Sequence, residues 1–196
     1  MIRTPQALIP YMLLCAFVAA GALWRLSADA GVTGPAVGIV SIGGPFSLID
    51  QDGAPKSDKD FLGRYALVYF GYTNCPDVCP TTLAMMADAL DRLGAKSQRV
   101  APVFVTIDPA RDTPKVLKQY LAAFGRRFVG LTGSPSAIAA VEHEYRVYAE
   151  RHPLPGGYAM DHSGEIYLIG PDGKLVAFYD TGIDSKALAE DLGKRL

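Results

Sequence analysis

Apolar residues fall along this chain in three rhythms. An unbroken run with no charge occupies residues 7–24, ALIPYMLLCAFVAAGALW. Shorter continuous runs follow at residues 66–70, 102–107 and 128–131, and these predict strands buried on both faces. Between them the apolar positions recur every three to four residues. Residues 80–93 place Leu83, Met86, Ala87, Leu90 and Leu93 on one helical face, and Gly94 stops it. Asp112-Thr113-Pro114 opens a second helix, with Val116, Leu117, Tyr120, Leu121 and Phe124 inward and Gly125 as its stop. Ser134-Pro135 opens a third, aligning Ile138, Val141, Tyr145 and Tyr148.

Residues 46–50 alternate and end at Asp52-Gly53, a strand and a turn. Residues 152–157, rich in Pro and Gly, predict a loop. Residues 165–169 and 174–179 flank Pro171-Asp172-Gly173 and predict a hairpin. A last helix covers residues 185–196. The predicted order is β-β-α-β-α-β-α-β-β-α, an α/β sandwich around a central sheet.

The first rhythm has a different meaning. Eighteen helical residues span about 27 Å, close to the hydrocarbon thickness of a bilayer. Arg3 precedes the run and Arg25 closes it. The organisation this predicts is a membrane anchor at 1–26, a Gly-rich tether at 27–44 and an exported domain at 45–196, with the amino terminus inside. Ala28-Asp29-Ala30 resembles a small-residue cleavage site, so a removed signal peptide is the alternative to an uncleaved anchor. Cys15 follows Met12-Leu13-Leu14, too bulky for a lipid-attachment site, and reads as an apolar membrane residue.

Composition changes this picture little. Of 196 residues, 49% are hydrophobic and 20% charged, as in a folded globular chain rather than a disordered one. The net charge of −1 gives no pull toward nucleic acid. Three cysteines are too few for a disulfide framework, so Cys75 and Cys79, four residues apart, carry local chemistry.

That pair lies in Phe70-Gly-Tyr-Thr-Asn-Cys75-Pro-Asp-Val-Cys79-Pro80, between a buried strand and a helix. Functional groups gather at the carboxyl ends of such strands. Cys79 precedes Pro80 and should sit at the helix N-terminus, where unpaired N–H groups stabilise an anion, so at least one of the two sulfurs should be ionised and accessible. Two thiols in one short loop can form a disulfide, exchange disulfides with a partner, or hold a soft metal. A metal calls for a third ligand. His143 falls on the solvent side of its helix, and His152 lies in the predicted loop. His162 stands just before a hairpin strand that can pair beside the cysteine strand; by position alone it is equally a ligand or a surface histidine. Met86 belongs to the core and Met85 is a weaker thioether candidate. Asp108, Arg111 and Asp112 form a charged loop, either a helix cap with an ion pair or a docking surface.

Four segments in this order, GYTNCPDVCPTTL, VFVTIDPARDTP, GLTGSP and MDHSGEIYLIGPDGKL, resemble the Sco/SenC family from about residue 44 to the end. The resemblance implies a thioredoxin-like fold, with a mixed central sheet flanked by helices. It implies copper, as Cu(I) or Cu(II), bound by Cys75, Cys79 and His162. Asp77 fills the family's acidic place within the cysteine loop. Gly170, where the family often has an acidic residue, is a minor departure. The implied function is a copper metallochaperone that helps assemble cytochrome c oxidase. Its partners would be the copper-bearing oxidase subunit and a copper donor that the sequence does not name. Its compartment would be the bacterial periplasm or the mitochondrial intermembrane space.

Two enzymatic alternatives compete. A thiol-disulfide oxidoreductase would use Cys75 and Cys79 as its redox pair and keep an oxidase subunit's cysteines reduced, with no need of His162. A peroxidase is suggested by Tyr72-Thr73-Asn74-Cys75, but the Pro-x-x-x-Thr-x-x-Cys spacing of peroxiredoxins is missing.

Overall fold

Two buried parallel strands organise the fold. The computed structural model describes residues 42–125 and 127–196. The expected anchor, most of the tether and Cys15 lie outside the described residues. Among those residues, no helix is long and apolar enough to cross a membrane.

Strand β3 (Tyr65–Gly71) pairs in parallel with β4 (Val100–Thr106), and β4 in parallel with β5 (Val129–Thr132). Both β3 and β4 read as continuous apolar runs because helices cover both faces of the sheet at that point. Strands β1 (Ser47–Asp50) and β2 (Pro55–Ser57) extend one edge. Strands β8 (Glu165–Ile169) and β9 (Leu175–Asp180) extend the other, both antiparallel to their neighbours. The sheet order is β2-β1-β5-β4-β3-β8-β9, the mixed sheet of a thioredoxin-like α/β sandwich.

Helices α1 (Val78–Arg92) and α4 (Ser185–Arg195) pack on one another. Successive β3 side chains point to opposite faces. Tyr69 and the Cβ direction of Gly71 meet Cys79 of α1. Phe70 packs instead on Tyr145 of α3 (Pro135–Tyr145), with ring centroids 5.2 Å apart. Helix α2 is Pro114–Leu121. The starts of α2 and α3 are made by the polar residue before the proline. Thr113 accepts the Val116 N–H, and Ser134 accepts the Ala137 N–H at 3.1 Å.

The structure departs from the sequence reading in four places. Residues 152–157 are not a loop: β6 (Ala149–Leu154) and β7 (Gly157–His162) form a separate two-stranded hairpin. Pro153 is tolerated because each strand of such a ribbon leaves one edge unpaired. Gly156, at φ 84°, turns the chain. Tyr148 is not on the α3 face; the helix ends at Tyr145, Arg146 takes left-handed geometry at φ 57°, and Tyr148 is exposed. Helix α2 stops early, its last expected turn tightening into a 3-10 helix at Ala122–Phe124. Helix α1 begins at Val78, so Cys79 lies inside its first turn rather than just ahead of it.

Candidate metal and dithiol site

Strand β3 ends at Gly71 and the chain turns sharply, the Cys75 N–H donating to the Tyr72 carbonyl at 3.3 Å. The turn is held from below. Asp112, fully buried, accepts the Thr73 N–H at 3.0 Å, the Thr73 hydroxyl at 2.6 Å and the Thr106 hydroxyl at 2.6 Å. Both oxygens of one carboxylate thus tie the cysteine turn to the end of β4. Burial pushes the Asp112 carboxyl above its ordinary range, and the threonine hydrogen bonds oppose that shift.

Helix α1 then starts, and its first-turn amide is used by a sulfur. The Cys79 N–H donates to Cys75 Sγ at 3.4 Å, so Cys75 rather than Asp77 caps the helix. Cys79 itself points inward and is fully buried. Its sulfur fits because residue 71 is glycine. A Cβ there would stand 2.8 Å from Cys79 Sγ and 2.9 Å from the Phe104 ring. Burial pushes the Cys79 thiol up to about 12. The expectation of at least one ionised, accessible sulfur is not met by Cys79: desolvation outweighs the helix N-terminus, whose amide serves the other sulfur. Of the two sulfurs, Cys75 is the one partly open to solvent.

His162 arrives from the other side. It closes β7, and three residues later β8 begins, its Ile166 pairing opposite Tyr69 of β3. Its Nε2 lies 3.6 Å from Cys79 Sγ. Its Nδ1 lies 2.6 Å from the Ser163 carbonyl, which can only accept, so Nδ1 carries the proton. That tautomer leaves the Nε2 lone pair aimed at the sulfur. Burial lowers the His162 pKa and keeps the ring neutral. Tyr72 meets the ring edge-on at 6.0 Å.

A second buried carboxylate fixes the hairpin that carries His162. Asp108 pairs with Arg111 and accepts the Tyr158 hydroxyl at 2.8 Å. The Arg111 guanidinium lies 3.7 Å over the Tyr158 ring and donates to the Tyr158 carbonyl at 3.0 Å. The expected ion pair of this loop is present. The docking surface is not, because Asp108 and Asp112 are only 1% and 0% exposed. Thr113 caps α2 in place of Asp112. Tyr158, Thr73 and Thr106 were not singled out in the sequence, although Thr73 and Thr106 lie within the quoted segments; their role shows only where the fold brings them to Asp108 and Asp112.

His143 is exposed on α3, as expected, and His152 Nε2 lies 3.0 Å from an Asp161 carboxylate oxygen. Met86 is fully buried in the core and Met85 is partly buried against it. Among the described residues, no three His, Cys, Asp or Glu side chains already stand at metal-holding spacing. Cys79 and His162 are in contact, while Cys75 Sγ is turned to the Cys79 amide; swinging it off that amide is what would add a third donor. Two sulfurs and one neutral imidazole suit a soft or borderline metal, and the same two sulfurs suit dithiol–disulfide exchange.

Residues 37–196 match the SCO1/SenC family model. The chain belongs to the SCO1/SenC family. Among its SCO1/SenC relatives is the mitochondrial SCO1 homolog 1 of Arabidopsis thaliana, 39% identical over 165 residues, covering 83% of this chain and 49% of the relative. The chain thus spans about half the length of this relative. The structure of Bradyrhizobium japonicum ScoI with copper bound is 43% identical, with a TM-score of 0.75 over 80% of this chain and all of that one. BsSco, described as a member of the Sco family of cytochrome c oxidase assembly proteins with a disulfide switch, is 27% identical. Its TM-score is 0.63 over 78% of this chain and 92% of its own.

Proposed function

We propose that this chain is a copper metallochaperone for cytochrome c oxidase assembly, with Cys75, Cys79 and His162 as the copper ligands. Copper is cargo here, taken from a donor and passed to the copper-bearing oxidase subunit. The observation that carries the reading is the 3.6 Å approach of His162 Nε2 to Cys79 Sγ. Dithiol–disulfide exchange needs only the two sulfurs, whereas copper takes mixed nitrogen and sulfur donors and so employs the imidazole as well. The copper-bound ScoI relative and the oxidase-assembly relative support the same reading.

Metal binding requires the thiols to lose their protons, and a disulfide has no thiolate to give. Metallation and disulfide formation therefore exclude one another, and the redox state of Cys75 and Cys79 decides whether copper can be carried. The second reading, a thiol-disulfide oxidoreductase acting on oxidase-subunit cysteines, draws on the same pair and on the disulfide switch of BsSco. The His162→Ala variant separates the two. Metal delivery predicts failed oxidase maturation in cells, while dithiol reduction predicts normal maturation with His162 gone. Residues 7–24 hold the protein in the membrane with the domain exported, in this reading. Membrane fractionation checks it, and a mature chain beginning near Gly31 in the soluble exported fraction would show that the segment is removed.

A further inference from the structure

We infer that Tyr69 is a positioning residue for the Cys79 sulfur, its phenol hydroxyl donating the hydrogen bond that holds this sulfur in the dithiol and metal-holding states. The inference deepens the copper and dithiol reading and rests on it.

Tyr69 lies on the central strand and is 0% exposed. Its hydroxyl stands 3.6 Å from Cys79 Sγ. A phenylalanine would fill the same core volume without a polar group, and a buried phenol usually takes a hydrogen-bond partner. The phenol hydroxyl finds that partner in the sulfur, to which it donates. Gly71 permits the approach, since a Cβ there would intrude on both Cys79 Sγ and the Tyr69 ring, at 2.8 and 3.3 Å. The Tyr69 and His162 rings meet edge-on at 6.3 Å, so the phenol borders the imidazole as well as the thiol.

The two hydrogen bonds around Cys79 have a fixed sense. The phenol donates to the sulfur. The thiol's own proton points to the His162 Nε2 lone pair. When the thiol proton leaves, the sulfur turns anionic in a buried place, and the phenol is the donor already in position. Donors around a metal's ligands orient them, and losing one typically lowers metal affinity about 10–100-fold.

Tyr120 supplies the control. Its hydroxyl is also buried and has no hydrogen-bond partner among the described residues. Removing it takes away a phenol oxygen from the same region without taking a bond from a sulfur.

The test compares Tyr69→Phe and Tyr120→Phe with the unmutated protein in two measurements. The first equilibrates the metal-free protein with glutathione. Protein dithiol and glutathione disulfide give protein disulfide and two glutathione thiols; one S–S bond breaks and one forms, and the two cysteine protons pass to glutathione. Tyr69→Phe should favour the protein disulfide severalfold, while Tyr120→Phe leaves the balance unchanged. The second is competition for Cu(I) with a chromophoric chelator, where Tyr69→Phe should bind about tenfold more weakly. Equal behaviour of the two variants in both measurements overturns the inference. Failure of the unmutated protein to take Cu(I) would count against the copper reading, and the glutathione balance would still decide the role of Tyr69. Should Tyr69→Phe fail to fold, the tyrosine Raman doublet of the unmutated protein, which reports phenol hydrogen bonding, must change between dithiol and disulfide. An unchanged doublet overturns the inference.

Discussion

Single atoms set the chemistry at Gly71, Cys79 and His162. Adding one methyl at Gly71 puts carbon 2.8 Å from Cys79 Sγ. Overpacking a filled core costs about 1–3 kcal/mol. Gly71→Ala should therefore lower the denaturation midpoint and weaken Cu(I) binding together; chemical denaturation and chelator competition on one sample check both. His162 gives a pH dependence whose sign follows from its burial. A depressed folded pKa means that the folded state holds its proton less tightly than the unfolded chain does. The stability contributed by the neutral ring is complete above the ordinary histidine value of about 6.5 and is lost as pH falls toward the lower folded value. Cu(II) uptake should decline over the same interval, because the proton and the metal compete for Nε2. His162→Ala should abolish the pH step and cut Cu(II) binding sharply, leaving Cu(I) binding by the two sulfurs less affected. A Cu(II) titration at several pH values, in parallel for both proteins, reads all three effects.

At the scale of elements, three pieces bring the site together: the turn after β3, the first turn of α1 and the end of β7. The turn hangs on Asp112 and the hairpin on Asp108. Asp112→Asn keeps the shape but offers a single acceptor oxygen where the carboxylate has two. Hydrogen bonds to a charged acceptor contribute about 1.5–3 kcal/mol each, so the variant should unfold at clearly lower denaturant and alkylate Cys75 faster; an alkylation rate equal to that of the unmutated protein would show that the turn does not depend on Asp112. Helix α3 carries a separate pH response. Burial pushes the Glu142 carboxyl up to about 7, so its protonated form favours the fold. That contribution is present below the ordinary glutamate value and is lost as pH rises through about 7. Glu142→Gln should be the more stable protein at pH 8 and gain nothing at pH 4, measured by denaturant midpoints. Much of this layer was legible in the sequence. The runs in β3, β4 and β5, the helix starts at residues 112–114 and 134–135 and the Pro171–Gly173 turn announced themselves locally, because burial, capping and turn geometry depend on near neighbours. The β6–β7 hairpin was not legible, since two prolines and two glycines mark a loop unless a partner strand is known. The bracing by Asp108 and Asp112 was hidden for the same reason: their partners Tyr158 and Thr73 are near only in space. The direction of the Cys79 shift was missed because a helix start is visible in sequence and full burial of a sulfur is not.

Over the whole molecule, the sheet joins two distant stretches of chain, the cysteine turn and the segment ending at His162, through the pairing of β3 with β8. That pairing is why a histidine more than eighty residues from Cys79 reaches its sulfur. In the proposed reading the arrangement is a carrier whose loading depends on its own redox state: the dithiol with the neutral imidazole would hold copper, and the disulfide would release or refuse it. The most direct test of this claim is copper stoichiometry on the purified chain, with Cu(I) and Cu(II) offered separately to the fully reduced and fully disulfide-bonded forms. The account predicts one copper per chain in the reduced form and none in the oxidised form. Undiminished copper binding by the disulfide-bonded protein would contradict it, because Cys75 and Cys79 could then not be the ligands.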